Sequence, residues 1–270
     1  MADICVITGG GSGIGLAAAK RLGQDYYIVL VGRTPQKLEG ALAELKALGI
    51  EGEILPGDVS NQESMQRLAG RAASLGKVKV VIHAAGMSPQ MGNAETIFRT
   101  NALGTVYVNQ ELSKVMGEQS CIIDISSMAA YLMEEEQFPH DLYALSLTDT
   151  KEFVAKVLEG VTVLPEAYQS GLAYSISKHF AIWFAQHSAV IYGQRGIRVV
   201  SVSPGTFATP MGELEGDQAA DIALNGALGR LGDPDEMAKL LAFVSSDAAS
   251  YLTGTDILCD GGAVAAIRQD

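Results

Sequence analysis

The sequence predicts an α/β protein, a doubly wound, seven-stranded parallel sheet with helices on both faces. Three observations predict it. Seven short, apolar, β-branched runs recur along the chain, and the segments between them carry apolar residues at helical spacing. The 270 residues, 48% hydrophobic and only 19% charged, suffice to bury one large core, so a single domain over 1–270 is expected. Strand and helix in succession require parallel pairing with right-handed crossovers. Ligands of such a sheet bind beyond the carboxyl ends of its strands, so functional residues belong immediately after each apolar run.

The first run, ICVIT (4–8), passes through TGGGSGIG (8–15) into the helical LAAAKRLG (16–23). YIVLVG (27–32) precedes the helical KLEGALAELKALG (37–49), and GEILPGD (52–58) precedes MQRLAGRAASLG (65–76). VKVVIHAAG (78–86), CIIDIS (121–126), IRVVSVSPG (197–205) and TDILCDGG (255–262) complete the strands, with the helix DEMAKLLAFVSS (235–246) before the last. Between the fifth and sixth runs, DTKEFVAKVLEG offers Asp149 as N-cap with Glu152 three residues on, a capping box. Phe153, Val154, Val157 and Leu158 follow on one face, with Gly160 as a stop. MEEEQ (133–137) reads as a solvated face rather than a ligand cluster. Leu132, Met133, Phe138, Tyr143 and Leu145 read mostly as packing, with a substrate wall as the other reading. Residues 206–231 mix apolar and acidic character and are expected to form a mobile lid. The acidic Glu213, Glu215 and Asp217 argue against a strongly anionic substrate there.

Composition removes several function classes. With 19 basic and 31 acidic residues the net charge is -12, and no basic run offsets it, so nucleic acid and anionic membrane surfaces are not expected partners. MADICVITGG carries no basic leader and no stretch reaches the roughly 18 unbroken apolar residues of a membrane span, so an unprocessed cytoplasmic protein is the expectation. Cys5, Cys121 and Cys259 are odd in number and lie in apolar runs, which suits buried thiols; no disulfide and no metal site is expected.

Two motifs carry chemistry. In TGGGSGIG, Gly9, Gly13 and Gly15, with Ser12 and Ile14 between them, sit between a strand and a helix. There the backbone can approach a pyrophosphate that the helix N-terminal amides then face. In GLAYSISKHFAIW (171–183), Tyr174 and Lys178 are one helical turn apart and therefore neighbours. Spacing alone establishes adjacency, and a boundary Tyr beside a solvated Lys satisfies it equally.

The G-x-x-x-G-x-G spacing resembles that of the short-chain dehydrogenase/reductase family, and the resemblance extends along nearly the whole chain. Asp58 and Val59 match the adenine-contacting end of the third strand, and Ala84, Ala85 and Gly86 the end of the family's N-A-A-G. Asn101 in FRTNALG matches the helix asparagine, Ser127 the catalytic serine, and Tyr174 with Lys178 the Y-x-x-x-K pair. Pro204 and Gly205 match the P-G turn, Thr209 the downstream threonine, and SDAASYLTG with DGG the C-terminal signature. The resemblance implies a Rossmann fold and an NAD(P)-dependent enzyme acting on a small-molecule alcohol or carbonyl compound. It implies Tyr174 as general acid/base, Lys178 lowering the phenol pKa together with the oxidised nicotinamide ring and gripping the ribose, Ser127 bonding the substrate oxygen, and Asn101 holding a water that relays protons from Lys178. Gly32 followed by Arg33, where NAD-preferring members usually place an Asp, favours NADP(H), with Thr34 and Lys37 as further contacts and NAD(H) as the alternative. Ser12 stands where many NADP-preferring members carry a basic residue.

Two positions depart from the family pattern. His83 replaces the Asn of N-A-A-G, and a structural role is expected for it. Ser127 and Tyr174 are 47 positions apart, far more than the family's usual spacing, which places an insertion at about 131–170. An insertion here, with AGMSPQ and GLAYSISK, resembles the 3α-hydroxysteroid dehydrogenase/carbonyl reductase branch, implying a hydrophobic hydroxysteroid or other carbonyl substrate. The family resemblance also implies a homo-oligomer, dimer or tetramer, for which the apolar face of Phe180, Trp183 and Phe184 is the candidate surface. A redox sensor or scaffold of the same fold without turnover is the competing class. Such proteins typically lack Tyr or Lys of the active pair, and here Ser127, Tyr174, Lys178 and Asn101 are all present.

Overall fold

The computed structural model describes residues 2–269. Its strands are β1 (Ala2–Thr8), β2 (Tyr27–Gly32), β3 (Gly52–Pro56), β4 (Gly76–His83), β5 (Met116–Ile125), β6 (Ile197–Pro204) and β7 (Asp256–Cys259). They form one parallel sheet in the order β3-β2-β1-β4-β5-β6-β7. The order reverses between β1 and β4, which opens a crevice at their carboxyl ends. In-register pairing also lines up one polar row near those ends: Thr8 beside His83, His83 beside Asp124, Asp124 beside Ser201, and Ser201 beside Asp256.

The helices are α1 (Gly13–Leu22), α2 (Pro35–Ala47), α3 (Gln62–Leu75), α4 (Ala94–Phe98), α5 (Gly104–Ser113), α6 (His140–Tyr143), α7 (Thr150–Val161), α8 (Glu166–Gly193), α9 (Pro210–Leu224), α10 (Pro234–Ser245) and α11 (Ala263–Ile267). Because side chains alternate along a strand, Cys5 and Ile7 enter a core with α1, α2 and α10, while Ile4 and Val6 enter one with α3, α5 and α8. Among the described residues no helix is long and apolar enough to cross a membrane. Cys5 and Cys121 are buried free thiols and Cys259 is half-buried; burial pushes Cys121 up to about 12.

The segment between β5 and the Tyr helix builds a third core. Phe138, Tyr143, Phe153, Val154, Val157 and Val161 pack against Phe98, Phe180 and Phe184. Burying each such side chain contributes roughly 1.5–3 kcal/mol, which makes the segment integral to the protein. Asp149 caps α7 by accepting from the amides of Lys151 (3.0 Å) and Glu152 (2.9 Å). The helix runs through Gly160 to Val161 instead of stopping there, because its buried face continues to Val161. Phe180 and Phe184 are thereby covered within the chain, which corrects their assignment to a surface between copies. The expected lid at 206–231 is largely helical: Thr209 caps α9 by accepting from the Gly212 amide (3.1 Å), Pro210 opens it, and Gly216 at φ 74° kinks it.

Candidate active site

The carboxyl end of β1 turns at Gly9, whose φ is +69°. A Cβ on Gly9 would stand 2.7 Å from the backbone of Ala84 and Ala85, and one on Gly15 2.5 Å from the Gly9 carbonyl oxygen. Only glycine permits this packing of loop, helix and β4. Ser12 precedes α1 without bonding to it through its side chain, and with Gly13, Ile14 and Gly15 at the helix start it lines a cleft of ≈ 490 Å³. That cradle, narrow and donor-rich, fits the pyrophosphate of a dinucleotide.

Most of the sequence-predicted residues meet in this cleft. Gly9, Ser12, Gly13, Ile14 and Gly15 line one end, with exposed Arg33 and Thr34 and the adjoining Lys37 at its rim. Arg33 makes no ion pair with any described residue. Val59, Ala84, Ala85 and Gly86 line the middle, and Ser127, Tyr174 and Lys178 the far side. Pro204, Gly205 and Thr209 line it from the β6 end.

Tyr174 and Lys178 are fixed by bonds at the following turn of α8. The Lys178 ammonium donates to the Ile125 carbonyl (2.9 Å) and lies 5.7 Å from the centre of the Tyr174 ring. The Ser126 hydroxyl donates to the Lys178 carbonyl (2.7 Å), and the Ser177 hydroxyl to the Tyr174 carbonyl (2.7 Å). Burial pushes the Lys178 ammonium down to about 8, against the opposing pull of Glu215 and Asp124. Burial and the Glu215 carboxylate push the Tyr174 phenol up, and the neighbouring Ser127 hydroxyl works the other way. The lowering expected from sequence involved Lys178 acting together with the oxidised nicotinamide ring; within the chain itself, burial and the acidic neighbour on α9 act in the opposite direction.

The family profile described as short chain dehydrogenase matches residues 3–141, and one described as Enoyl-(Acyl carrier protein) reductase matches 158–264. The short-chain dehydrogenase/reductase bsc3 of Alternaria brassicicola is 32% identical over 100% of this chain and 99% of its own length. The chain belongs to the short-chain dehydrogenase/reductase family. As a member of it, the protein is an oxidoreductase. The L-rhamnose 1-dehydrogenase (NAD(P)(+)) of Sphingomonas sp. (strain SKA58) is 28% identical, covering 95% of this chain and 94% of that protein. A solved short-chain dehydrogenase/reductase from Mycobacterium ulcerans superposes with a TM-score of 0.78 at 27% identity, over 97% of this chain and 90% of that one.

Two residues assigned to the site through the family pattern stand outside the cleft. The Asp58 carboxylate turns into its own loop, accepting from the Ser60 amide (2.9 Å) and hydroxyl (2.7 Å), and leaves Val59 to line the cleft. Asn101 is buried in a widened helical turn, Arg99–Leu103. Its Oδ1 accepts from the Met87 amide (2.8 Å), and its Nδ2 donates to the Met87 carbonyl (3.0 Å) and the Ser177 hydroxyl (3.0 Å). The Asn101 carbonyl accepts from the Thr105 hydroxyl (2.9 Å). Through these bonds Asn101 ties the loop after β4 to the Tyr helix. His83 is structural in its contacts: its Nδ1 pairs with the Thr8 hydroxyl (2.8 Å), which in turn accepts from the Ala85 amide (3.2 Å). Burial, helped by Lys178, pushes the imidazole down to about 3, so it is neutral.

Three features of the site escape the sequence motifs. Asp124, wholly buried on β5, accepts from Asn109 Nδ2 at both oxygens (2.8 and 3.0 Å), and burial pushes it up to about 7. A charged residue inside the apolar run CIIDIS was the available signal. Glu215, named in the sequence only as one of three acidic lid residues, is the one of them that lines the cleft, from α9. Met87, Met91, Leu132, Met211 and Ile222 form an apolar wall, of which Leu132 is the insertion's contribution, whereas Phe138 and Tyr143 pack inside.

Proposed function

We propose that this enzyme interconverts a secondary alcohol and a ketone by NADP(H)-dependent hydride transfer, with Tyr174 as general acid/base, on a hydrophobic substrate of the hydroxysteroid or related carbonyl type. One observation carries the reading: Tyr174, Lys178 and Ser127 converge in the same cleft as the glycine cradle, against an apolar wall. The glycine loop with Ser12 would hold the pyrophosphate, and Arg33 with Thr34 and Lys37 the 2'-phosphate. Val59, Ala84, Ala85 and Gly86 would line the adenosine side, Lys178 would grip the nicotinamide ribose, and Pro204, Gly205 and Thr209 would border the nicotinamide. The bound cofactor supplies the hydride. Ser127 donates to the substrate oxygen as charge develops on it, and Tyr174, held protonated by burial and Glu215, delivers the proton. A relative named for NAD(P)(+) supports a family site that accommodates either cofactor, and the unpaired Arg33 supports the phosphorylated one here. The enzyme acts in the cytoplasm as a homo-oligomer, for which Val190 and Ile191, exposed near the end of α8, offer apolar surface.

Cofactor absorbance followed across ketone, aldehyde and steroid panels tests the reading, with Tyr174→Phe alongside. Turnover of ketones by the native enzyme is expected, with kcat lower by roughly 10²-fold or more in the variant and NADPH binding retained. Full activity in Tyr174→Phe would remove Tyr174 from the mechanism. NADPH binding without turnover of any panel member would favour a cofactor-sensing module.

A further inference from the structure

We propose that Glu135, His140 and His179 form a binding site for one divalent cation of the zinc type, which clasps the insertion to the Tyr helix. The three residues come from separate places: the short helical turn Glu135–Gln137, the start of α6, and α8 one residue beyond Lys178. None lines the cofactor cleft. Nε2 of His140 lies 3.1 Å from one carboxylate oxygen of Glu135, and Nε2 of His179 lies 3.4 Å from the other. All three ligand atoms fall within 4.8 Å of one another. Neighbouring ligands on a tetrahedral zinc with bonds of about 2.0–2.1 Å stand roughly 3.3–3.4 Å apart. The two imidazoles thus approach the two oxygens of one carboxylate at near coordination spacing, and rotation of the exposed Glu135 and His140 side chains would bring one oxygen to both.

The surroundings of His179 are those of an oriented ligand. Its Nδ1 pairs with the hydroxyl of the fully buried Tyr143 (3.0 Å), which leaves Nε2 to face the carboxylate. The Phe138 ring stacks on the imidazole at 3.8 Å and 10°, and the His140 ring stands across it at 87°. A hydrogen bond donated by the far nitrogen of a ligating histidine is the usual outer-shell support of a metal site, and here the Tyr143 hydroxyl oxygen can accept it. Two imidazoles and one carboxylate match the donor sets of three-ligand zinc sites, whose fourth position water fills. Glu135, 70% exposed, opens that position to solvent and gives the ion its path in. The His140 nitrogen also lies 3.1 Å from the Glu135 backbone carbonyl, so the segment between these two ligands is already drawn together.

The test titrates the full, metal-stripped chain with Zn²⁺ in competition with a chromophoric chelator, and with Co²⁺ for its visible spectrum. One Zn²⁺ per chain is expected, with an intense tetrahedral Co²⁺ band and a rise in melting temperature on Zn²⁺ addition. His140→Ala and Glu135→Gln, both at exposed positions, should each weaken Zn²⁺ at least tenfold while circular dichroism stays native. Tyr143→Phe, which removes no ligand, should weaken it by roughly 10-fold. Weak, non-stoichiometric binding, an adventitious ion only, would overturn the proposal, as would native affinity in both His140→Ala and Glu135→Gln.

Discussion

Replacing Asp124 with Asn should stabilise the protein at neutral and alkaline pH and flatten the dependence of its stability on pH. Asp124 sits in the polar row across the sheet, fully buried, with its carboxyl pushed from the ordinary 3.8 up to about 7 by burial. The folded protein therefore holds this proton more tightly than the unfolded chain. Between pH 4 and 7 it binds more protons, so stability is lost as pH rises through that window and levels off above it. At about 1.4 kcal/mol per pH unit, the distance from 3.8 to about 7 bounds the loss at roughly 4 kcal/mol. Asn cannot ionise. The amide that replaces the carboxylate keeps one oxygen to accept from Asn109 Nδ2, which retains one of the two bonds. Urea denaturation of both proteins from pH 5 to 8.5 measures this, and taking the difference cancels every other carboxylate. About 2 of those pH units lie within the range, so the variant's advantage should grow by roughly 3 kcal/mol across it. Because Asp124 also raises the Lys178 pKa, the variant's basic limb in kcat against pH should move down. Stability curves that stay parallel from pH 5 to 8.5 would refute the reasoning.

Three further outcomes follow from the geometry. Arg33→Asp should lower the NADPH-to-NADH ratio of kcat/KM by roughly 10- to 100-fold, the worth of a lost charge-assisted pair, and an unchanged ratio would sink the cofactor assignment. Glu215→Gln removes a carboxylate that pushes the Tyr174 phenol up, so the alkaline onset of alcohol oxidation should move to lower pH by about one unit, read from kcat against pH. Phe153→Ala empties a site whose ring stands 5.4 Å from Phe98 and 4.8 Å from Phe180, and should cost about 3–5 kcal/mol in chemical denaturation; a loss under about 1 kcal/mol would mean the insertion is not part of the core.

The sheet was legible in the sequence because each buried strand is a β-branched run, and β2 begins and ends where YIVLVG does. The glycine cradle and the Tyr–Lys pair were legible because a local backbone demand and a helical turn both leave their mark within eight residues. What needed coordinates is long-range. Phe180 and Phe184 look like association surface on their own helix, and only the docking of α7 shows them to be core. The Asp58 carboxylate and the Asn101 amide take partners that a motif position does not reveal, and Glu135, His140 and His179 have no shared spacing. The helical start at 209–210 was readable, since Thr followed by Pro is a helix-opening pair, but the acidic, glycine-containing stretch beyond it read as loop.

The tethers of α8 also separate the chemistry from the insertion. Ser126, Ile125 and, through Ser177, Asn101 all bind the helix within one turn of Tyr174, from β5 and from the widened turn before α5. The insertion grips the same helix just beyond, at His179, Phe180 and Phe184, on a surface that faces away from the cleft. It therefore need not hold Tyr174 in place. Its one reach into the cleft, Leu132, lies immediately after the turn that Ser127 opens, so a change in the inserted segment alters the cleft wall while Tyr174 stays anchored to the sheet. An addition at this point of the chain is thus tolerable for the reaction and consequential for what is recognised.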